Sequence, residues 1–152
     1  MDANFLAQLK DLGLGAILGF SAMGSGLGAG VAGMAAVGAW KKCFLQNKPA
    51  SFIMVAFVGA PLTQTIYGMI VMNKMAEVSA KSGLYLSGIG IFCGIAMGLS
   101  AWMQGKAGAV AADAMGETGK GFGNYIVVLG IIETVALFVL AFSLGILGKL
   151  GA

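Results

Sequence analysis

Four apolar runs follow one another along this 152-residue chain, separated by short polar breaks. They cover about residues 12–40, 51–72, 84–112 and 124–147. Each reaches or exceeds the roughly 20 residues that a helix needs to cross the hydrocarbon of a bilayer. No alternating pattern of about ten residues recurs, so barrel strands are not expected. Charged residues make up only 10% of the chain, too few to coat a soluble domain. The expected fold class is therefore an all-α membrane protein with four transmembrane helices. The first run lies beyond Asp11 and leads into further apolar runs, so it is expected to be retained and not cleaved as a signal peptide.

The four runs form two tandem hairpins, and the hairpins are copies of each other. Shifting the first run by 75 positions matches Gly15 to Gly90, Gly19 to Gly94, Ser25 to Ser100, Gly30 to Gly105 and Gly33 to Gly108. Shifting the second run by 69 places Gln64-Thr65-Ile66 on Glu133-Thr134-Val135. The first hairpin takes residues 1–78 and the second 79–152, and the second loop region is six residues shorter. An even number of helices separates the copies, so the duplication is parallel and both hairpins have one orientation in the membrane.

Charge falls mostly at the run ends. All nine basic residues are Lys, and there is no His. Their placement reads as interfacial anchoring in lipid, not as a nucleic-acid surface. Lys41, Lys42, Lys48, Lys106 and Lys120 lie on the hairpin-loop side; Lys10, Lys74, Lys81 and Lys149 lie opposite. Five against four places the loops in the cytoplasm by a narrow margin. Cys43 and Cys93 fit no metal or disulfide spacing and read as small apolar fillers. The glycines of the first run, from Gly15 and Gly19 through Gly24, Gly26, Gly28, Gly30 and Gly33, lie inside an apolar helix. No GxxxxGK[ST] pattern makes them a phosphate loop. Small residues let membrane helices approach closely. Glycines spaced by two cover both sides of the helix, which points to neighbours on both sides, as in a ring of repeated hairpins.

One residue breaks the apolar pattern of the fourth run. Between Tyr125 and Leu147, Glu133 is the only side chain charged at neutral pH. A carboxylate deep in hydrocarbon costs roughly 2.5–3.5 kcal/mol on insertion scales and is functional by default. Candidate partners lie on other helices. Ala60, Thr63, Gln64 and Tyr67 fall at i, i+3, i+4 and i+7, one helix face. Pro61 removes an N–H and frees the Phe57 carbonyl nearby. At 1.5 Å per residue, Gln104 and Glu133 both lie roughly 15 Å from the second loop, and Gln64 lies roughly 19 Å from the first. One carboxylate, two amides, a hydroxyl and a backbone carbonyl are hard oxygen donors. Without His they do not suit a transition metal, and a single negative charge suits a monovalent cation better than Ca²⁺. A desolvated Na⁺ fits this donor set. A proton needs Glu133 alone and leaves the glutamines surplus. Tyr67 is placed to donate to the Glu133 carboxylate. Ser21, Ser25, Ser100, Thr65, Thr134 and Ser143 read as small packing residues, and Asp113 and Glu117 as solvated groups at the second loop.

The duplicated hairpin, the glycine-rich first helix, Pro61-Leu62-Thr63-Gln64-Thr65-Ile66-Tyr67-Gly68, Gln104-Gly105-Lys106 and the run around Glu133 together resemble the four-helix proteolipid of V-type rotary ATPases. The bacterial subunit K of Na⁺-translocating enzymes is the nearest likeness. The resemblance implies that Glu133, Gln104, Gln64, Thr63 and the Ala60 carbonyl bind the ion, with Tyr67 as carboxylate latch. Ala60 stands where a Leu is familiar, but only its carbonyl is involved. It implies a rotor ring of identical subunits in the cell membrane, each of them non-catalytic and carrying one Na⁺. It also implies a stator subunit with an essential Arg and a central stalk docked on the loop side. A proton-carrying rotor of the same type and a small four-helix drug/proton exporter are the alternatives. The exporter type usually carries its Glu in the first helix and lacks the parallel duplication.

Overall fold

The computed structural model describes residues 2–150. Four helices long and apolar enough to cross a membrane account for nearly all of them, and no strand occurs among the described residues. The first helix spans Ala3–Leu45 and the third Gly83–Thr118. The second runs over Phe52–Glu77 and the fourth over Phe122–Leu150. The first and third overrun their apolar segments at both ends. At 43 residues the first helix is roughly 65 Å long, about twice a bilayer's hydrocarbon thickness, so it projects beyond the membrane. Nothing in Lys41 to Leu45 opposes a helix; the chain turns only at Asn47, whose φ is +51°, ahead of Pro49. The third helix ends on Gly119 in the left-handed conformation, φ +67°.

The two hairpins are interleaved. The most extensive contact in the chain is between the first and third helices. Their backbones touch through glycines: a Cβ on Gly105 would fall on the backbone of Gly28, and one on Gly24 on that of Gly98. The second helix leans on the first and third, and the fourth on the third and second. The two-sided glycine pattern has a structural counterpart. Gly13, Gly24 and Gly28 are packed on the third helix, whereas Gly15, Gly19, Gly26 and Gly30 face open space.

The connection is six residues in the first hairpin (46–51) and three in the second (119–121). Half of the six-residue difference between the copies therefore lies in the loop and half in the adjoining helix ends. Lys106 is not a loop flank. It lies inside the third helix, with its ammonium 5.0 Å from the centre of the Trp102 ring. Asp113 and Glu117 also belong to that helix, and although exposed they pair with Lys42 at 3.3 and 2.8 Å.

Two apolar cores divide the bundle along its length. One lies toward the chain ends and holds Ile17, Val71, Leu86, Met97 and Ala136. The other lies toward the hairpin loops and holds Ala36, Phe57, Ala111, Ala112 and Leu129, with the Phe57 ring 5.6 Å from Phe122. On the second, third and fourth helices the positions between these cores are Gln64, Gln104 and Glu133.

Candidate functional site

The second helix is interrupted where the site begins. Pro61 cannot donate a backbone N–H, and Ala60–Leu62 forms a 3₁₀ turn between the helical stretches Val55–Gly59 and Thr63–Glu77. The carbonyl freed at Phe57 points at Gly108 of the third helix, where a Cβ would come within 2.8 Å of it. The Ala60 carbonyl accepts from the Thr63 hydroxyl at 3.0 Å. That hydroxyl also lies 3.2 Å from Gln64 Oε1 and serves one acceptor at a time, because it carries one hydrogen.

From this turn a chain of polar groups crosses to the fourth helix. Gln64 and Gln104 are both fully buried, and Gln64 Nε2 donates to Gln104 Oε1 at 2.9 Å. Gln104 Nε2 lies 3.0 Å from the Leu129 carbonyl and 3.2 Å from Glu133 Oε2. The other carboxylate oxygen, Oε1, accepts from the Tyr67 hydroxyl at 2.6 Å. Tyr67 and Glu133 are half-buried. All six residues singled out in the sequence therefore meet in one layer between three helices. Glu133 has no side-chain partner on its own helix.

These contacts answer the energetic problem posed by the carboxylate. Hydrogen bonds to charged groups contribute about 1.5–3 kcal/mol each. Two of them, from Tyr67 and Gln104, match an insertion cost of roughly 2.5–3.5 kcal/mol. The carboxylate nevertheless sits near the outer surface of the bundle. Its neighbours Ile131, Val135 and Phe138 are exposed, as a lipid-facing wall would be. The carboxylate is half-buried, so it remains reachable from the outer surface of the bundle.

Sequence reasoning passed over one member of the layer. Ser100, expected only to pack, donates to the Ile132 carbonyl at 3.0 Å, one residue before Glu133. The available signal was its position four residues before Gln104, which puts both on one face of the third helix. Thr134 bonds within its own helix, to the Ile131 carbonyl, and Ser143 donates to Cys93 Sγ at 3.4 Å. Cys43 is buried and makes a weak contact to the Gly116 carbonyl.

The chain has known relatives. Residues 87–146 match the family of the ATP synthase C subunit, a stretch that contains Gln104 and Glu133. The chain is also similar to A-type ATP synthase subunit K of Methanocaldococcus jannaschii, with 31% identity over 132 residues. That alignment covers 86% of this chain and 57% of the relative's length.

Proposed function

We propose that the chain is a rotor subunit of the ATP synthase C-subunit type with one Na⁺ per copy at Glu133: residues 87–146 match that family, and the described residues form four membrane-length helices. The observation that carries the reading is the pair of buried glutamines wired to the single membrane carboxylate. A proton carrier needs only the carboxylate. Gln64 and Gln104 bring two amide groups, and with them two candidate oxygen donors, beside the carboxylate. With the Thr63 hydroxyl, the Ala60 carbonyl and Glu133 they make an oxygen shell around one negative charge, which suits Na⁺. Tyr67 holds the carboxylate inward while the ion is bound.

The cycle follows from charge. With Na⁺ bound, Glu133 is neutral and the unit can face lipid as the ring turns. At the stator a positive side chain, an Arg by the family likeness, competes for the carboxylate, and the Tyr67 contact opens. The ion leaves into an aqueous half-channel. The subunit itself performs no catalysis; ATP turnover belongs to partner subunits. It works against a stator subunit and a central stalk, the stalk docking on the loop side, where Lys41, Lys48, Glu117 and Lys120 are exposed. The ring is a homo-oligomer in the cell membrane with its loops in the cytoplasm. The bare glycine face of the first helix supports a neighbouring copy there.

Because Gln64 stands where the repeat places Glu133, four helices supply one ion site. A ring of given circumference then moves fewer ions per turn, and each ion receives more of the driving energy. That energy is set against about 2.3 kcal/mol per 100 mV for each charge. The arrangement favours ATP-driven pumping. Labelling of Glu133 by a hydrophobic carbodiimide, at a range of pH and Na⁺ concentrations, tests the ion assignment. Na⁺ is expected to protect Glu133 where choline does not. Labelling that responds to pH but not to Na⁺ overturns it and leaves a proton rotor.

A further inference from the structure

Ser25 and Ser100 occupy the same place in the duplicated helices, 75 positions apart, and both are buried. Their hydroxyls differ. Ser100 donates across to the Ile132 carbonyl on the fourth helix. Ser25 Oγ has no hydrogen-bond partner among the described residues. The repeat would aim Ser25 at the Thr63 carbonyl, but there the Pro61 turn displaces the second helix from regular α geometry.

The Ser100 bond does not stand alone. One turn away, Gln104 donates to the Leu129 carbonyl. Two side chains of the third helix thus grip two carbonyls of the fourth, at Leu129 and Ile132, on the turn that leads into Glu133. A carbonyl has two lone pairs, so neither acceptor forfeits its own helical bond. Two fixed points a turn apart set both the rotation and the height of the fourth helix against the third. At that setting Glu133 Oε2 meets Gln104 and Oε1 meets Tyr67.

Building on the Glu133 ion site, we propose that Ser100 is a positioning residue for ion binding. It locks the fourth helix so that ion exchange is confined to movement of the Glu133 side chain. Ser25 is its inactive counterpart. Removing the Ser100 hydroxyl leaves no buried polar group orphaned, because Ile132 keeps its helical partner, so Ser100→Ala is expected to fold and assemble.

Carbodiimide labelling of Glu133 in membranes holding the assembled protein tests this. Ser100→Ala is expected to raise the Na⁺ concentration giving half-protection about three- to tenfold. Ser100→Thr, which restores a hydroxyl, is expected to stay within about twofold of the parent protein. Ser25→Ala is expected to leave the value unchanged. Half-protection in Ser100→Ala at the parent concentration overturns the proposal, as does an equal shift in Ser25→Ala. If Ser100→Ala does not assemble, Ser100→Cys against Ser100→Thr carries the test: equal protection by both refutes a role for the hydroxyl. If Na⁺ fails to protect even the parent protein, the Na⁺ reading falls separately. The labelling rate without Na⁺ then decides for Ser100, faster in Ser100→Ala if the residue positions Glu133 and unchanged if it does not.

Discussion

The two hairpins repeat one pattern of residues and, on the proposed reading, take unequal parts in one site. Each position that matters in one has a plain counterpart in the other. Glu133 is matched by Gln64, Gln104 by Ala29 and Tyr67 by Ala136, at shifts of 69 or 75. The first hairpin supplies the latch and one amide from its second helix, and the other hairpin supplies the carboxylate and the second amide. The partners needed for a second site are apolar. A duplicated membrane unit has thereby become one composite site, with the spare positions given to packing. Pro61 marks the divergence, because it breaks the second helix at the level where the fourth runs unbroken.

The largest effect is expected from moving the charge between the hairpins. Glu133→Gln abolishes ATP-driven ion uptake into membrane vesicles, and adding Gln64→Glu does not restore it. In that double variant the repeat matches the relocated carboxylate with Ala29 and Ala136, which offer no donor. Recovery of uptake in the double variant would show that the hairpins differ only in where the charge sits.

Packing gives the next test, at the repeat pair Gly30 and Gly105. Gly105→Ala drives a methyl into the Gly28 backbone and is expected to destabilise the bundle by about 3 kcal/mol, read from thermal unfolding followed by circular dichroism. Gly30→Ala meets nothing within 4 Å and is expected to keep the fold, with a gain of up to about 1 kcal/mol in helix propensity. In the assembled protein the same substitution is expected to weaken the ring while the helices persist, because the proposed neighbouring copy occupies that face; unchanged assembly would argue against a copy there.

Smaller changes are expected around the carboxylate. Gln104→Leu removes the donor to Glu133 and to Leu129, and is expected to weaken Na⁺ binding about 30-fold, equivalent to about 2 kcal/mol. The reciprocal Ala29→Gln adds an amide to the inactive hairpin and should bind no further ion. Tyr67→Phe loses one hydrogen bond and keeps the ring, so Na⁺ release is expected to quicken about fivefold, equivalent to about 1 kcal/mol. Rapid-mixing release of bound sodium reads this. An unchanged rate would remove Tyr67 from the latch role.

Much of this arrangement was legible in the sequence because membrane helices are simple rods. Run length gave four spans, and rise per residue put Gln104 and Glu133 at one depth. The i, i+3, i+4, i+7 spacing put Ala60, Thr63, Gln64 and Tyr67 on one face. Helix ends were less legible, since hydropathy marks the membrane and not the hydrogen-bonded helix, which continues through Lys41 and Lys42 to Leu45. Ser100 was missed because a serine in a membrane helix usually bonds its own backbone, as Ser21 does to the Ile17 carbonyl. What distinguishes Ser100 from Ser25 is the helix each one faces: the unbroken fourth for Ser100 and the Pro61-interrupted second for Ser25.

Equilibrium binding of radioactive sodium to the purified protein tests the central claim most directly. One saturable Na⁺ per chain, absent in Glu133→Gln and retained in Gln64→Leu at lower affinity, is the predicted result. Two ions per chain, no saturable binding at neutral pH, or binding that survives Glu133→Gln would contradict a single composite Na⁺ site shared by unequal hairpins.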